Sequence, residues 1–368
     1  MSNNQASIRQ EHYDKKYIKR CIKLAKNGGG FVSPNPLVGA VIVKNERIIG
    51  EGWHAKYGGA HAEVNALENA SDDVKGATLY CNLEPCCHLE KQTPPCVPFI
   101  ISSGIKRVVV SCLDSNPDVN GLGIQLLNES GIKTDVGILR DESEELNKFY
   151  YKYITHKIPY VTIKIAQSLD GKISFSRNEQ TWLTSKKAIR FVHELRAGYD
   201  AVVVGANTIK VDNPFLNVRE VKGRNPVRII IDGKLSIPFK ANVLKAEDIN
   251  KTWIFTDTNA DRRKLQKLKS MGVNIFKLKP GKSGSIDFSE VLKTLGEKKI
   301  TSVLVEGGEQ IFSQFISKDL FDEIIILQSP RVLGKGLSGI TARPPTGLEY
   351  RIIEKLGDDL KLILKRKK

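Results

Sequence analysis

Residues 61–67 have the sequence HAEVNAL, and two cysteine motifs follow, LEPC at residues 83–86 and TPPC at residues 93–96. Apolar side chains recur at helical spacing in the first stretch, which places His61 and Glu63 in the first turn of a helix. The first cysteine follows a strand-like segment, and the second begins the next helical one. This order predicts that an imidazole, a carboxylate and two thiols meet where helix N-termini converge, a location that favours an anion.

The residue types in this cluster are typical of a catalytic zinc site. One imidazole and two thiols, from His61, Cys86 and Cys96, can hold zinc and leave a fourth coordination position open for water. The metal would lower the pKa of that water to near neutrality. Glu63 resembles the glutamate of zinc-dependent base deaminases, which moves protons and is not a ligand. The second thiol departs from that signature, because Cys96 does not form a C-x-x-C pair with Cys86.

Two other interpretations of the cysteines stay open. In a structural zinc site, Cys87 or His88 would close the fourth position. Thiols scattered through the core are the second interpretation, and we favour packing for Cys21, Cys81 and Cys112, which lie in helical or β-like patterns. A carboxylate beside the ligands favours catalysis for the cluster itself, because a structural site does not need one.

Length and periodicity predict two domains of the α/β class. The chain has 368 residues, more than a single hydrophobic core usually supports. Strands and helices alternate in residues 1–150, which predicts a three-layer α/β/α domain. The pattern restarts with a strand at residues 160–166, so residues 151–368 are expected to form a second α/β domain.

The sequence favours a cytoplasmic protein that does not contact a membrane. No apolar run approaches the roughly 18 residues that a membrane-spanning helix needs. The first ten residues, MSNNQASIRQ, lack the apolar core of a secretory signal. Thiols beside a metal motif indicate a reducing compartment, where disulfides are rare.

The formal net charge of +16 has two interpretations. A nucleic-acid partner would be bound through its phosphate backbone. Alternatively, a lysine-rich surface attracts small phosphorylated ligands. Basic residues are spread along the chain, and no nucleic-acid signature with interleaved aromatic residues is present. We therefore expect a phosphorylated small-molecule substrate and no nucleic acid.

Longer motifs make one resemblance specific. Residues 33–41 (SPNPLVGAV), together with the three motifs quoted above, are similar to the bifunctional riboflavin-biosynthesis deaminase–reductases. That family has a cytidine-deaminase-like N-terminal domain and a dihydrofolate-reductase-like C-terminal domain. The resemblance implies zinc on His61, Cys86 and Cys96, with Glu63 as the proton carrier. It also implies that Asn35, His54 and His88 hold the pyrimidine and its ribose phosphate. The family's basic residue at the phosphate would be replaced by Lys91 or by Gln92, and we favour Lys91.

The residues alone leave these substrate roles open. Asn35 stands between two prolines that fix its backbone, so its amide either faces a ligand or begins a rigid strand. His54 and His88 either touch the substrate or are ordinary satisfied histidines. Cys87 takes the place of the family's usual serine, and residues 89–92 form a loop one residue longer than usual. The choice of Lys91 for the phosphate rests on its charge.

The second half continues the resemblance through residues 159–166 (PYVTIKIA), 182–185 (WLTS) and 305–308 (VEGG). None of these is the G-x-G-x-x-G dinucleotide fingerprint. The resemblance implies NADPH across the strand ends, with a helix N-terminus near the pyrophosphate. It gives cofactor binding to one set of residues: Lys164, Ala166, Trp182, Thr208, Asp212 and Gly308. It gives binding of the sugar-phosphate substrate to a second set: Gln180, Arg196, Leu216, Arg219 and Glu306.

The resemblance implies a two-step enzyme that we expect to be a homo-oligomer. The first domain would hydrolytically deaminate 2,5-diamino-6-ribosylamino-4(3H)-pyrimidinone 5′-phosphate. The second would reduce the ribosyl side chain to ribityl with NADPH, although the sequence does not decide between NADPH and NADH. Gln180 stands where the family usually has serine. The alternatives are a nucleic-acid base deaminase with an accessory domain and a non-catalytic zinc scaffold.

Overall fold

The computed structural model describes residues 3–88, 93–281, 285–344 and 347–367. The chain divides into two compact units, Met1–Lys157 and Ile158–Lys368. The division therefore lies slightly beyond the expected limit at residue 150. The last helix of the first unit accounts for this, because the hydroxyl of Tyr150 donates to Asp114 within the same unit, at 2.8 Å from Oδ1. No helix in the described ranges is long and apolar enough to cross a bilayer.

The first unit contains six helices and five strands among its described residues. In chain order they are α1 (Asn3–Ala25), β1 (Gly39–Lys44), β2 (Arg47–Trp53), α2 (Ala62–Glu68), β3 (Thr78–Cys81), α3 (Cys96–Ser102), β4 (Arg107–Val110), α4 (Leu122–Glu129), β5 (Lys133–Val136), α5 (Arg140–Leu146) and α6 (Lys148–His156).

One mixed sheet, in the order β2-β1-β3-β4-β5, forms the middle layer of this unit. The side chains of β1 alternate between its two faces, as the period of a strand requires. Val41 and Val43 pack with α1 in one apolar cluster. Ala40 and Ile42 pack with α2, α3 and α4 in another. The predicted three-layer α/β/α arrangement is confirmed.

Two details of the first unit are not evident from the sequence pattern. The amphipathic pattern of residues 11–26 predicts a helix there, but α1 begins at Asn3; residues 3–10 are mostly polar, so no apolar stripe marks this start. The pattern of residues 141–157 predicts one closing helix and a linker, but the segment contains two helices, α5 and α6, which Asn147 separates.

The second unit contains five helices and eleven strands among its described residues. They are β6 (Tyr160–Gln167), β7 (Lys172–Ser174), α7 (Lys186–Gly198), β8 (Ala201–Gly205), α8 (Ala206–Asp212), β9 (Val227–Ile231), β10 (Thr252–Asp257), α9 (Arg262–Ser270), β11 (Asn274–Leu278), α10 (Phe288–Glu297), β12 (Ser302–Val305), α11 (Glu309–Ser317), β13 (Glu323–Gln328), β14 (Leu337–Ser338), β15 (Leu348–Leu356) and β16 (Asp359–Arg366).

A sheet in the order β11-β10-β9-β8-β12-β6-β13-β16-β15 is the centre of this unit. The strands from β11 to β13 in this order are parallel, and β16 and β15 add antiparallel strands at one edge. Val203 of β8 belongs to the cluster that contains α10 and α11, whereas Val202 and Val204 pack with α8 and α9. Helices therefore cover both faces of the sheet. The carboxyl ends of its neighbouring parallel strands β6, β12 and β8 lie side by side.

Candidate active sites

Three elements of the first unit bring the predicted zinc ligands together. His61 is the residue before α2 and has an extended backbone, Cys86 lies in the loop after β3, and Cys96 is the first residue of α3. Gly52 of β2 makes this placement of α2 possible, because a Cβ atom there would collide with the backbone of Ala62 in α2.

The donor atoms of this cluster fit a metal ion. Nδ1 of His61 lies 3.3 Å from Sγ of Cys86 and 3.3 Å from Sγ of Cys96. All three donor atoms lie within 4.8 Å of one another. With bond lengths of about 2.0 Å to nitrogen and 2.3 Å to sulfur, tetrahedral zinc would separate nitrogen and sulfur by about 3.5 Å. The observed spacing is within a few tenths of an ångström of that value.

Two contacts orient these donors. The backbone N–H of Cys96 donates to Sγ of Cys86 at 3.3 Å, which favours the thiolate form that binds a metal. The hydroxyl of Thr93 lies 3.0 Å from Nε2 of His61. If Nδ1 binds the metal, the ring proton is on Nε2 and is donated to Thr93, as is common for metal-bound histidines.

Glu63 lies in the first turn of α2 and is buried, with 3% of its surface exposed. It therefore lies two positions after the metal-ligand candidate His61, on the helix that begins directly after that residue. A buried carboxylate at this place can exchange a proton with a group bound at the cluster, which is the chemistry expected of a general acid and base.

Asn35 and His54 form a pair next to the metal cluster. The amide Nδ2 of Asn35 lies 3.2 Å from Nε2 of His54, and Nδ1 of His54 lies 3.0 Å from the carbonyl oxygen of Ala60. Because a carbonyl only accepts, His54 carries its proton on Nδ1, and Nε2 accepts from Asn35. The rings of His54 and His61 are 5.2 Å apart in an edge-on arrangement.

The remaining predictions for the first unit stay predictions. His88 is partly buried in the loop after Cys86. Sγ of Cys87 lies 3.9 Å from the carbonyl oxygen of Asp118, and Cys87 is not part of the group of donors that could hold a metal. Lys91 and the rest of residues 89–92 lie outside the described residues.

The second unit has a cleft of about 630 Å³ at the carboxyl ends of its parallel strands. Ligands of open α/β sheets bind beside the carboxyl ends of the strands. All the residues predicted for the cofactor and for the reductase substrate line this one cleft: Lys164, Ala166, Gln180, Trp182, Arg196, Thr208, Asp212, Leu216, Arg219, Glu306 and Gly308.

A buried ion-pair network lies at the bottom of the cleft. Arg196 donates from Nε and Nη2 to the two carboxylate oxygens of Glu306, at 2.7 and 2.9 Å. Nζ of Lys164 lies 3.3 Å from the same carboxylate. Burial by itself would raise the pKa of Glu306, but Arg196 and Lys164 outweigh it and hold that pKa at about 2. Glu306 is therefore ionised at neutral pH.

The turn between β12 and α11 places main-chain atoms in the wall of the cleft. A Cβ atom at Gly307 would collide with the side chain of Ile311, so the helix can begin this close to the strand only with glycine there. Gly308 precedes the first residue of α11 and lines the cleft. A phosphate at this helix N-terminus would be met by unpaired backbone N–H groups.

Comparison with known proteins decides the family. The description "RibD C-terminal domain" matches residues 159–362, and "Cytidine and deoxycytidylate deaminase zinc-binding region" matches residues 11–112. A riboflavin biosynthesis protein RibD from Aquifex aeolicus is 42% identical, over 96% of this chain and 98% of that protein. The chain belongs to the RibD family.

Solved structures agree with this assignment. Acinetobacter baumannii RibD superimposes with a TM-score of 0.88 at 33% identity, covering 97% of this chain and all of that one. A diaminohydroxyphosphoribosylaminopyrimidine deaminase/5-amino-6-(5-phosphoribosylamino)uracil reductase from Thermotoga maritima superimposes with a TM-score of 0.86 at 37% identity, with the same coverage. The expected fold class is confirmed, and the chain is a bifunctional deaminase/reductase of riboflavin biosynthesis. The two alternatives, a non-catalytic zinc scaffold and a nucleic-acid base deaminase, do not match the activity of this family.

Two polar residues beside the sites were missed in the sequence analysis. Thr93 was quoted only as the first letter of the TPPC motif, although a hydroxyl next to a metal motif is a common partner of a ligand histidine. His193 lies three positions before Arg196 on α7 and also lines the cleft. That spacing puts both residues on one face of a helix, which could have identified it.

Proposed function

We propose that the first unit deaminates 2,5-diamino-6-ribosylamino-4(3H)-pyrimidinone 5′-phosphate hydrolytically, with zinc on His61, Cys86 and Cys96. The observation that carries this proposal is the convergence of Nδ1 and two Sγ atoms, 3.3 Å from nitrogen to each sulfur, next to the helix that holds buried Glu63. The Thermotoga maritima relative is named for deaminating a diaminohydroxyphosphoribosylaminopyrimidine.

The residues of the first unit divide the deamination between them. Zinc, when bound, supplies Lewis acidity that makes water a nucleophile at neutral pH. Glu63 takes a proton from the water and delivers it to the amino group, so that a C–O bond forms, the C–N bond breaks and ammonia leaves. Asn35 and His54 hold the polar edge of the pyrimidine. His88 contacts the substrate, and Lys91 meets its phosphate.

We propose further that the second unit reduces the ribosyl side chain to ribityl, with NADPH as the hydride donor at C1′. Lys164, Ala166, Trp182, Thr208, Asp212 and Gly308 would bind the cofactor. Gln180, Arg196, Leu216, Arg219 and Glu306 would bind the substrate. The side chain of Arg219 is about half exposed, and its guanidinium fork can meet phosphate oxygens at two points.

The decisive experiment supplies the diaminopyrimidine phosphate to zinc-loaded protein with NADPH, with NADH and without either nucleotide. Ammonia release and nucleotide oxidation are followed separately. We expect ammonia in all three reactions and NADPH oxidation only after deamination. Absence of ammonia would overturn the deaminase assignment, and equal oxidation of NADH and NADPH would overturn the cofactor assignment. A cytoplasmic, homo-oligomeric enzyme is part of the same proposal, and sedimentation measures its oligomeric state.

A further inference from the structure

His193 is a buried histidine in the wall of the reductase cleft that has no role in the proposed chemistry. It lies on α7 with 2% of its surface exposed and lines the cleft together with Arg196. The backbone N–H of Arg219 donates to Nδ1 of His193 at 3.3 Å. The histidine therefore holds the main chain of a residue that is proposed to bind substrate.

The segment at residues 213–219 needs such support. Asn213 and Leu216 have φ angles of 43° and 53°, in the left-handed region that residues other than glycine rarely adopt. A strained backbone of this kind persists only where its surroundings fix it.

Helix α7 fixes the segment at two successive points. Nη1 of Arg196 donates to the carbonyl oxygen of Asn217 at 3.3 Å, and His193 accepts from Arg219 at 3.3 Å. Between these two points, the backbone N–H of Val218 donates to Oδ1 of Asn225 at 2.9 Å. The two helix residues differ in their other contacts. Arg196 also forms an ion pair with Glu306, whereas His193 contacts the backbone of the segment.

The contact depends on the protonation state of the ring. Nδ1 can accept from an N–H group only when it carries no proton. Burial lowers the pKa of His193, and the positive charges of Arg196 and Arg219 lower it further, while Glu220 and Glu306 oppose them. These four charged groups are the ones that act on the ring from α7, from the segment and from the end of β12. The neutral ring that the contact requires is therefore the form present at neutral pH.

We propose that His193 is a positioning residue that holds the Arg219 segment in the conformation that binds the reductase substrate. The inference rests on the proposed reductase function of the cleft. Loss of the acceptor frees the segment, so the substrate meets Arg219 and Leu216 in several conformations and binds less tightly. The cofactor contacts of β6 and α8 do not depend on this hydrogen bond.

The test compares H193N and H193L with the wild-type protein. The amide oxygen of asparagine lies about where Nδ1 of histidine lies and accepts at every pH, whereas leucine accepts nothing. E194Q is the matched control, because Glu194 is exposed on the same turn of α7. Binding of NADPH, followed by its fluorescence, checks that each variant has a folded cleft.

We expect H193L to raise the KM for the deaminated substrate about tenfold, a loss of about 1.4 kcal/mol, with kcat and the Kd for NADPH nearly unchanged. H193N should keep the wild-type KM at pH 7.5. On acidification, the KM of the wild-type protein should rise more than that of H193N, because only histidine gains a proton. The inference is overturned if H193L keeps the wild-type KM or if H193N is impaired as much as H193L. Failure of the wild-type protein to reduce the substrate would instead overturn the proposed function.

Discussion

The hydroxyl of Thr93 lies 3.0 Å from Nε2 of His61, on the side of the ring away from the two thiols. The opposite nitrogen, Nδ1, lies 3.3 Å from Sγ of Cys96. One side of the imidazole therefore faces the candidate metal ligands and the other is held by a hydroxyl. Thr93 fixes both the orientation of the ring and the nitrogen that carries its proton.

Replacing this hydroxyl should weaken metal binding. We expect T93V to lower the affinity for zinc about tenfold to a hundredfold, because the isosteric methyl group cannot accept from Nε2. Competition with a chromophoric chelator measures the affinity directly. T93S keeps the hydroxyl and should bind zinc like the wild-type protein; equal affinities for all three proteins would contradict the role of Thr93.

Replacing the carboxyl group of Glu63 should slow deamination and leave zinc binding unchanged. E63Q should lower the rate of ammonia release by about a hundredfold or more, because an amide cannot carry the proton. Its zinc content, measured on the dialysed protein, should stay at one ion per chain. NADPH oxidation with pre-deaminated substrate serves as the control and should be unchanged. Ammonia release at the wild-type rate would show that another group moves the proton.

Glu306 neutralises two cations in the reductase cleft. E306Q leaves Arg196 and Lys164 buried without their counter-charge, and loss of one partner of a buried ion pair destabilises a protein by about 3–5 kcal/mol. We expect E306Q to abolish reduction and to lower the free energy of unfolding of the second unit. E194Q, at an exposed carboxylate paired with exposed Arg190, is the control and should unfold close to the wild type in denaturant titrations.

The ionisation of Glu306 also predicts a pH dependence. Its pKa is lowered in the folded state, from the ordinary 4.5 to about 2. The stability that it contributes is therefore complete above pH 4.5 and is lost as the pH falls toward about 2. Urea unfolding of the second unit between pH 5 and pH 3 should show this loss in the wild-type protein and a smaller one in E306Q. If the free energy of unfolding fell equally with pH in both proteins, the contribution assigned to Glu306 would be contradicted.

A second ion pair fastens the N-terminal helix to the sheet of the first unit. Arg107 of β4 donates from Nη1 and Nη2 to Asp14 of α1 at 2.9 and 2.7 Å, and the hydroxyl of Tyr80 donates to the same carboxylate at 2.7 Å. Burial alone would raise the pKa of Asp14, but these hydrogen bonds outweigh it and lower that pKa.

We expect D14N to destabilise the first unit by about 1–3 kcal/mol, because it removes one of the two carboxylates that pair with Arg107, while Asp135 keeps its ion pair with Nε at 2.7 Å. Differential scanning calorimetry of the full chain at pH 7 measures the shift. D72N, at an exposed aspartate, should leave the transition unchanged. Since the folded-state pKa of Asp14 is lowered, the difference between D14N and wild type should shrink as the pH falls below 3.8.

Much of both sites could be predicted because their residues stand in motifs. His61, Glu63, Cys86 and Cys96 occur in short stretches whose spacing indicates a metal and a proton carrier before any fold is known. Contacts between distant segments could not be predicted in this way. The acceptor on His193 and the N–H group of Arg219 are 26 positions apart, and no periodicity connects them.

The sequence by itself determined the donor types of the metal cluster and the alternation of strands and helices, which follow from side-chain chemistry and from local patterns. The residues expected in the reductase cleft came from the resemblance to a known family. Only the tertiary structure decided how the groups are oriented, such as which nitrogen of His61 faces the thiols and which ring holds the Arg219 segment. Orientation depends on the packing of segments far apart in the chain, which local propensities do not encode.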